Sequence, residues 1–256
     1  MKDQLGRNIE LSGTPQRIIS LVPSQTELLF DLGLDKEVIG ITKFCIHPDE
    51  WFRNKTRVGG TKQLNLETIR NLQPDLIIAN KEENTQEQLE ILMSEFPVWI
   101  SDIKTLEDAY RMIEQIGLIT NHQEKASSIT TEINIKFSKL KNFVPATAAY
   151  IIWNEPMMSV GGDTFINEMM KYSGFVNVYA DSIRYPDVAE ADLKKTNPEF
   201  ILLSSEPFPF KEKHIERYQN ICPQSKIILV DGEMFSWYGS RLLKAPSYFT
   251  GLRKNL

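Results

Sequence analysis

Between His122 and Asn142 the apolar residues Ile129, Ile133, Phe137 and Leu140 recur at spacings of four, four and three. That rhythm keeps them on one face of a helix turning every 3.6 residues. Glu124, Lys125, Glu132, Lys136, Lys139 and Lys141 fall on the other faces, where their charges stay in water. Pro145 closes the pattern, because proline lacks the backbone donor and clashes with the preceding turn. Some twenty residues rising 1.5 Å each span about 30 Å, the width of a small domain. Another helical run, Thr105 to Ile119, comes just before. An α/β segment of about a hundred residues lies on either side, so the long helix reads as a strut joining two lobes. The predicted division is an N-terminal α/β lobe over 1–120, a connecting helix over 121–144 and a C-terminal α/β lobe over 145–256.

The two flanks echo one another. Leu66 to Asn80 reads as a short amphipathic helix, then Pro74-Asp75, then the apolar run Leu76-Ile77-Ile78-Ala79. Ala191 to Ser205 repeats the order, with Pro198-Glu199 and then Phe200-Ile201-Leu202-Leu203. Each run ends in polar residues followed by an acid, Glu82 or Glu206. Two such units placed alike around a central helix imply paired lobes, and paired lobes imply a cleft.

Taken in order, Asp3 to Leu11 reads as a small hairpin with Gly6 at its turn. Arg17 to Val22 is an apolar strand, and Ser24-Gln25-Thr26-Glu27 offers a capping box for the helix that follows. Val38 to Thr42 is a strand, Thr85 to Phe96 a helix and Val98 to Ser101 a strand. Beyond the strut, Ala148 to Trp153 is a strand, Gly161-Gly162-Asp163-Thr164 starts a helix reaching Ser173, and Val176 to Ala180 is a strand. Lys226 to Val230 is a strand, Asp231 to Tyr238 a loop, and Arg241 to Leu252 a last helix interrupted by Pro246. Strand and helix alternating at this rhythm predict α/β lobes with mainly parallel sheets covered on both faces.

Composition narrows the function. The net charge is −5, the pI is about 5.4 and no basic block is present, which argues against nucleic-acid binding by phosphate neutralisation. No apolar run approaches the length of a membrane span. Cys45 and Cys222 lie too far apart in sequence to read as a disulfide framework. Met1 to Arg7 lacks the apolar core of a signal peptide. The expectation from that start alone is a cytoplasmic chain, or one whose export segment is not part of this sequence.

In parallel α/β sheets ligands bind beyond the carboxyl ends of the strands. Those ends collect aromatic and charged residues: Phe44, His47 and Trp51; Lys81 and Glu82; Trp153; Arg184; Glu206 and Phe208; Phe235, Trp237, Tyr238 and Arg241. Aromatic walls with a few polar groups suit a large, partly apolar small molecule. The same rings could instead be core, and for Trp153 both readings fit. Cys45 and His47 could ligate a soft metal if Glu206 and His214 joined them across the cleft; otherwise they are a semi-buried thiol and a loop imidazole touching an organic ligand. Gly59-Gly60 and Gly161-Gly162 could each bind an anion at a helix start. No Walker loop, dinucleotide fingerprint or serine elbow is present; with the aromatic strand ends and the resemblance described next, the expectation is a non-enzymatic binding protein without an intrinsic cofactor.

The run Pro15-Gln16-Arg17-Ile18-Ile19-Ser20-Leu21-Val22-Pro23-Ser24-Gln25-Thr26-Glu27 resembles the start of the substrate-binding proteins of ABC importers for cobalamin, haem and ferric siderophores. Gly59-Gly60, Asn65-Leu66-Glu67, Gln73-Pro74-Asp75-Leu76-Ile77-Ile78 and the stretch from Gly161-Gly162 to Asn197-Pro198-Glu199 extend the resemblance over nearly the whole chain. It implies the class III periplasmic-binding-protein fold: two α/β lobes bridged by a single long helix, stiff, monomeric, with the ligand between the lobes. It implies periplasmic or lipid-anchored placement and an ABC permease as partner, met by one glutamate on each lobe. Glu67 matches the first such position. The second usually reads Val-Ser-x-Glu; here Val188-Ala189-Glu190-Ala191 sets the acid one place early, at Glu190, with Asp192 as its neighbour. Phe44 to Pro48 falls where the cobalamin branch places aromatic contacts, with His47 before Pro48, and Phe235 to Arg241 matches a ligand-side loop. The expected ligand is a cobalamin-like corrinoid, haem or ferric siderophore, and the alternative is a cytoplasmic metal-handling protein or enzyme using Cys45 and His47.

Overall fold

The computed structural model describes residues 1–141 and 143–256; the predicted helix end at Asn142 lies outside them. The chain separates into two compact units. The first holds Met1–Ile103, Glu107–Ile133 and Tyr238–Arg241; the second holds Lys104–Leu106, Asn134–Trp237 and Leu242–Leu256.

In the first unit short apolar runs become strands and the amphipathic runs between them become helices. The order is β1 (Ile18–Ser20), α1 (Pro23–Leu32), β2 (Val38–Ile41), α2 (Asp49–Asn54), β3 (Thr56–Arg57), α3 (Leu66–Leu72), β4 (Leu76–Asn80), α4 (Gln86–Met93), β5 (Val98–Ser101), α5 (Leu106–Ile119) and α6 (Gln123–Ser138). The five strands form one parallel sheet in the order β3-β2-β1-β4-β5. β1 and β4 are buried along their whole length, which is why they carry no polar alternation. From β1 the chain runs outward to β2 and β3, then returns to the other side of β1 for β4 and β5. That reversal leaves a crevice at the carboxyl ends of β1 and β4, where crossovers diverge.

The second unit continues with β6 (Ala146–Trp153), β7 (Met158–Ser159), α7 (Phe165–Tyr172), β8 (Phe175–Asn177), α8 (Glu190–Thr196), β9 (Phe200–Ser204), α9 (Ile215–Ile221), β10 (Lys226–Val230), α10 (Glu233–Ser236) and α11 (Ala245–Lys254). Its sheet runs β10-β9-β6-β7, with β8 also on β6. Only β7 is antiparallel. Ala148 pairs with both β8 and β9, and Ile151 with both β7 and β9. β7 and β8 therefore share one edge of β6 and β9 takes the other. The reversal seen around β1 is repeated around β6, and its crevice lies at the carboxyl ends of β6 and β9.

The sequence echo has a physical content. α3 and α8 each end on a left-handed residue, Gln73 (φ 46°) and Asn197 (φ 40°), just before a proline that cannot continue the helix. The acid after each proline then ties down the strand beside it. Asp75 accepts the backbone N–H groups of Gln16 at 2.7 Å and Arg17 at 2.8 Å, at the start of β1. Glu199 accepts the Thr147 N–H at 2.7 Å, at the start of β6. The Pro-acid pair thus sets the register of the central strand in both units.

Several expectations are corrected. α6 is 16 residues long, about 24 Å at 1.5 Å per residue, and stops before Leu140; the chain passes from the first unit to the second within it, after Ile133. Gly117 of α5 lets α6 approach so closely that a Cβ there would lie 2.3 Å from that of Ala126. Ser24 does not cap α1: Pro23 occupies the first turn, Val22 is the N-cap and no side chain caps it. Pro246 does not interrupt α11 but sits in its first turn, where a missing N–H leaves nothing unpaired. Asp231 to Tyr238 contains the helical turn α10, and the strand expected at Val176 to Ala180 is Phe175–Asn177. α2, β3, β7 and α9 are too short or too polar to show a period.

Three of the four paired glycines have their N–H groups engaged by backbone carbonyls. Gly161 and Gly162 donate their N–H groups to the carbonyls of Arg184 at 2.7 Å and Ser182 at 3.0 Å, and Gly60 donates to Gln63 at 2.8 Å. At Gly162 a Cβ would lie 2.1 Å from the Ala180 carbonyl oxygen. Gly162→Ala is therefore expected to lower the unfolding free energy by about 1–3 kcal/mol, read from urea denaturation. A loss within error of zero would mean that the 180–184 loop moves freely.

Candidate functional site

The crevice of the second unit is built around the end of β6. Trp153 is 39% exposed there. Its indole N–H donates to the Glu155 carbonyl at 2.9 Å, which fixes the ring. Phe208, in the loop after β9, meets Trp153 edge-on with ring centres 5.6 Å apart. Phe208 is itself held by Phe210 at 4.7 Å and His214 at 5.3 Å, and its backbone N–H donates to the Ile152 carbonyl at 3.3 Å. The His214 ring nitrogen Nδ1 accepts the Lys211 N–H at 2.9 Å. An exposed indole backed by a half-buried phenyl at a strand end is the arrangement a flat apolar ligand can stack on.

Glu206 turns away from that face. Its Oε1 accepts the Trp237 indole N–H at 2.9 Å and the Ser236 hydroxyl, locking the loop after β9 to α10. Beneath it Tyr150 donates to Ser204 Oγ at 3.1 Å, and burial pushes its phenol far up. Arg184 adopts a left-handed backbone (φ 60°), with its N–H on Asp163 Oδ1 at 2.6 Å and its side chain half-buried. Its neighbour Ile183 is 75% exposed.

In the first unit the loop after β2 presents Phe44 and Ile46, both about half-exposed, to solvent. Lys43 Nζ lies 5.2 Å from the Phe44 ring centre, and Gly60 leaves room for both side chains. After β4, Asn80 Oδ1 accepts the N–H groups of Glu82 at 2.8 Å and Glu83 at 3.0 Å, curling that loop. Lys81 pairs with Asp102 at 2.7 Å, and Lys62 donates to the Glu82 carbonyl. His47 is half-buried beside Pro48. Glu67 lies exposed in the first turn of α3, and Glu190 exposed in the first turn of α8.

Other expected ligand contacts are corrected by burial. Trp51 is fully buried, donates to Asp35 Oδ1 at 2.7 Å and packs edge-on against Phe30. Phe235 is fully buried between Tyr150 and Phe249. Trp237 and Tyr238 are each 6% exposed. Arg241 is buried on Glu27, with Nε 2.8 Å from Oε2. Cys45 is also fully buried, its sulfur within 3.1 Å of the Thr26 hydroxyl and 3.2 Å of the Thr42 hydroxyl, and burial pushes its thiol up. A thiol so placed is not a metal ligand. Among the described residues no three His, Cys, Asp or Glu side chains converge. Sequence reasoning missed Ile183, a single apolar residue between Ser182 and Arg184, and singled out the Phe44–Pro48 stretch without naming Ile46.

Burial also raises Tyr172, Tyr179 and Tyr248, and pushes Tyr218 up to about 12. The folded state keeps these protons where the unfolded chain, near pH 10, has lost them. Their contribution to stability is therefore full below pH 10 and is lost as pH climbs, through about 12 for Tyr218. A phenolate absorbance titration is expected to lag behind that of the urea-unfolded chain. Superimposable curves would refute the burial.

Residues 18–221 match the family model described as "Periplasmic binding protein". The vitamin B12-binding protein of Pectobacterium carotovorum is 27% identical over 239 residues, 90% of this chain and 86% of that one. An uncharacterised ABC transporter substrate-binding lipoprotein of Bacillus subtilis, YvrC, is 24% identical over 94% of this chain and 81% of its own length. The crystal structure of the periplasmic vitamin B12-binding protein BtuF of Vibrio cholerae superposes with a TM-score of 0.80 at 22% identity, covering 94% of this chain and 98% of that one. The match spans most of the sequence and the doubled parallel-sheet fold agrees with it: this chain belongs to the periplasmic binding protein family.

Proposed function

We propose that this chain is the substrate-binding protein of an ABC importer and that its ligand is a cobalamin-like corrinoid or another large metal chelate. The observation that carries the reading is the Trp153–Phe208 pair, an exposed indole backed by a half-buried phenyl at the carboxyl ends of β6 and β9. Phe44 and Ile46 give the first unit an apolar surface of the same kind. Lys81 and Arg184 meet the polar rim of the ligand. The relatives named for vitamin B12 support the corrinoid class over haem and ferric siderophores.

Glu67 and Glu190, each in the first turn of a helix on a different unit, are the carboxylates that meet cations of the permease. Periplasmic or lipid-anchored placement follows from the same reading, as does a monomer. Titration of the protein with cyanocobalamin, haemin and a ferric hydroxamate, followed by tryptophan fluorescence, tests it. Saturable quenching at one chelate per chain is expected, and no response to any of the three would overturn it.

A further inference from the structure

Arg217 lies on α9, outside the strand ends that form the crevice, yet two other segments of chain meet on its guanidinium. Nη1 donates to Glu155 Oε1 at 2.9 Å and to the Asn154 carbonyl at 3.3 Å. Nη2 donates to Glu190 Oε1 at 3.3 Å. The neighbouring Tyr218 donates its hydroxyl to Asn154 Oδ1 at 3.3 Å. Its raised pKa keeps it a donor throughout the neutral range. The Glu155 carbonyl, in turn, holds the Trp153 indole at 2.9 Å. A continuous chain of polar contacts thus runs from the exposed ring at the end of β6, through Glu155 and Arg217, to the carboxylate that opens α8. The described Lys171–Glu168 pair, by contrast, closes within a single helix.

We propose that Arg217 is a positioning residue that couples the Glu190 carboxylate to the Trp153 ring. A planar guanidinium offers a fixed fork of donors, so two carboxylates compete for one charge. When a cation from a partner draws Glu190 away, Arg217 settles on Glu155 and Asn154 alone and the hold on Trp153 changes. The reverse also follows: a ligand that displaces Trp153 alters how firmly Glu190 is held, because coupling is reciprocal. The carboxylates are well exposed, Glu155 at 77% and Glu190 at 51%, so the coupling is a matter of a few-fold in affinity, not orders of magnitude. The use of this coupling rests on the reading above, in which Trp153 meets the chelate and Glu190 the permease. The coupling itself does not.

The test uses the whole ligand-free protein and the indole ¹H–¹⁵N resonance of Trp153, identified by its loss in Trp153→Phe. Glu190→Gln is expected to move that resonance while leaving those of the buried Trp51 and Trp99 in place. In an Arg217→Met background the same change is expected to move nothing, and Arg217→Lys is expected to restore part of the effect. Should Arg217→Met fail to fold, Glu155→Ala removes the acceptor and breaks the same chain at an exposed position. A Trp153 resonance indifferent to Glu190→Gln, or one that moves as far without Arg217, would overturn the proposal. Because neither chelate nor permease is present, a failure of the binding reading would appear separately, as an absent fluorescence response with the resonance shift intact.

Discussion

Arg241→Met is expected to lower the unfolding free energy by about 3–5 kcal/mol, because it removes the cation paired with a buried carboxylate. Glu27 and Arg241 have side chains only 10% and 8% exposed, and their atoms meet at 2.8 Å. Glu27 sits on α1 and Arg241 on the helical turn Ser240–Leu243. Gly239, with φ 131°, brings that segment against the backbone of Ser24, where a Cβ would lie 3.0 Å from the Ser24 carbonyl oxygen. The pair therefore fastens residues 238–241 to the first unit, to which they belong despite their place in the sequence. Taking away the cation leaves Glu27 without the charge that justifies its desolvation. The double variant Glu27→Gln/Arg241→Met is expected to recover much of the loss, since no charge is then buried alone. Urea denaturation of both variants checks this. A single-variant loss below about 1 kcal/mol would mean that the pair is solvated and acts as a surface ion pair.

Trp153→Ala is expected to weaken chelate binding about 30-fold, corresponding to about 2 kcal/mol for a hot-spot aromatic. The ring is held by the Glu155 carbonyl and by Phe208 before any ligand arrives, so little ordering remains to be done on binding. Trp51→Phe provides the contrast. It removes a hydrogen bond to Asp35 inside the first unit and is expected to cost stability while leaving chelate affinity unchanged. Isothermal titration with cyanocobalamin on both variants distinguishes the two rings. Equal affinities for wild type and Trp153→Ala would remove the aromatic pair from the site.

Trp51 stands among polar residues and Trp153 closes an apolar run, and neither local pattern states which ring is buried. The difference arises from tertiary packing. α2, a short helix that the sequence does not announce, carries the Trp51 ring onto Phe30, whereas β6 simply ends at Trp153 and leaves it in solvent. Phe235 was misplaced for the same reason: α10 is one turn long and shows no period, yet it directs the ring inward onto Tyr150. By contrast, the paired α/β architecture was legible, because Pro74-Asp75 and Pro198-Glu199 each do one physical task that the sequence states twice. Glu27 illustrates the remaining difficulty. Its spacing from Ser24 suits a capping box, and only a residue 214 positions later explains where its carboxylate goes.

Native mass spectrometry of the purified chain, alone and after incubation with cyanocobalamin, haemin and a ferric hydroxamate, tests the central claim most directly. The account predicts a mass increase of one intact chelate per chain, cyanocobalamin before the others. Retention of a bare metal ion with no chelate, or no retained mass at all, would contradict it.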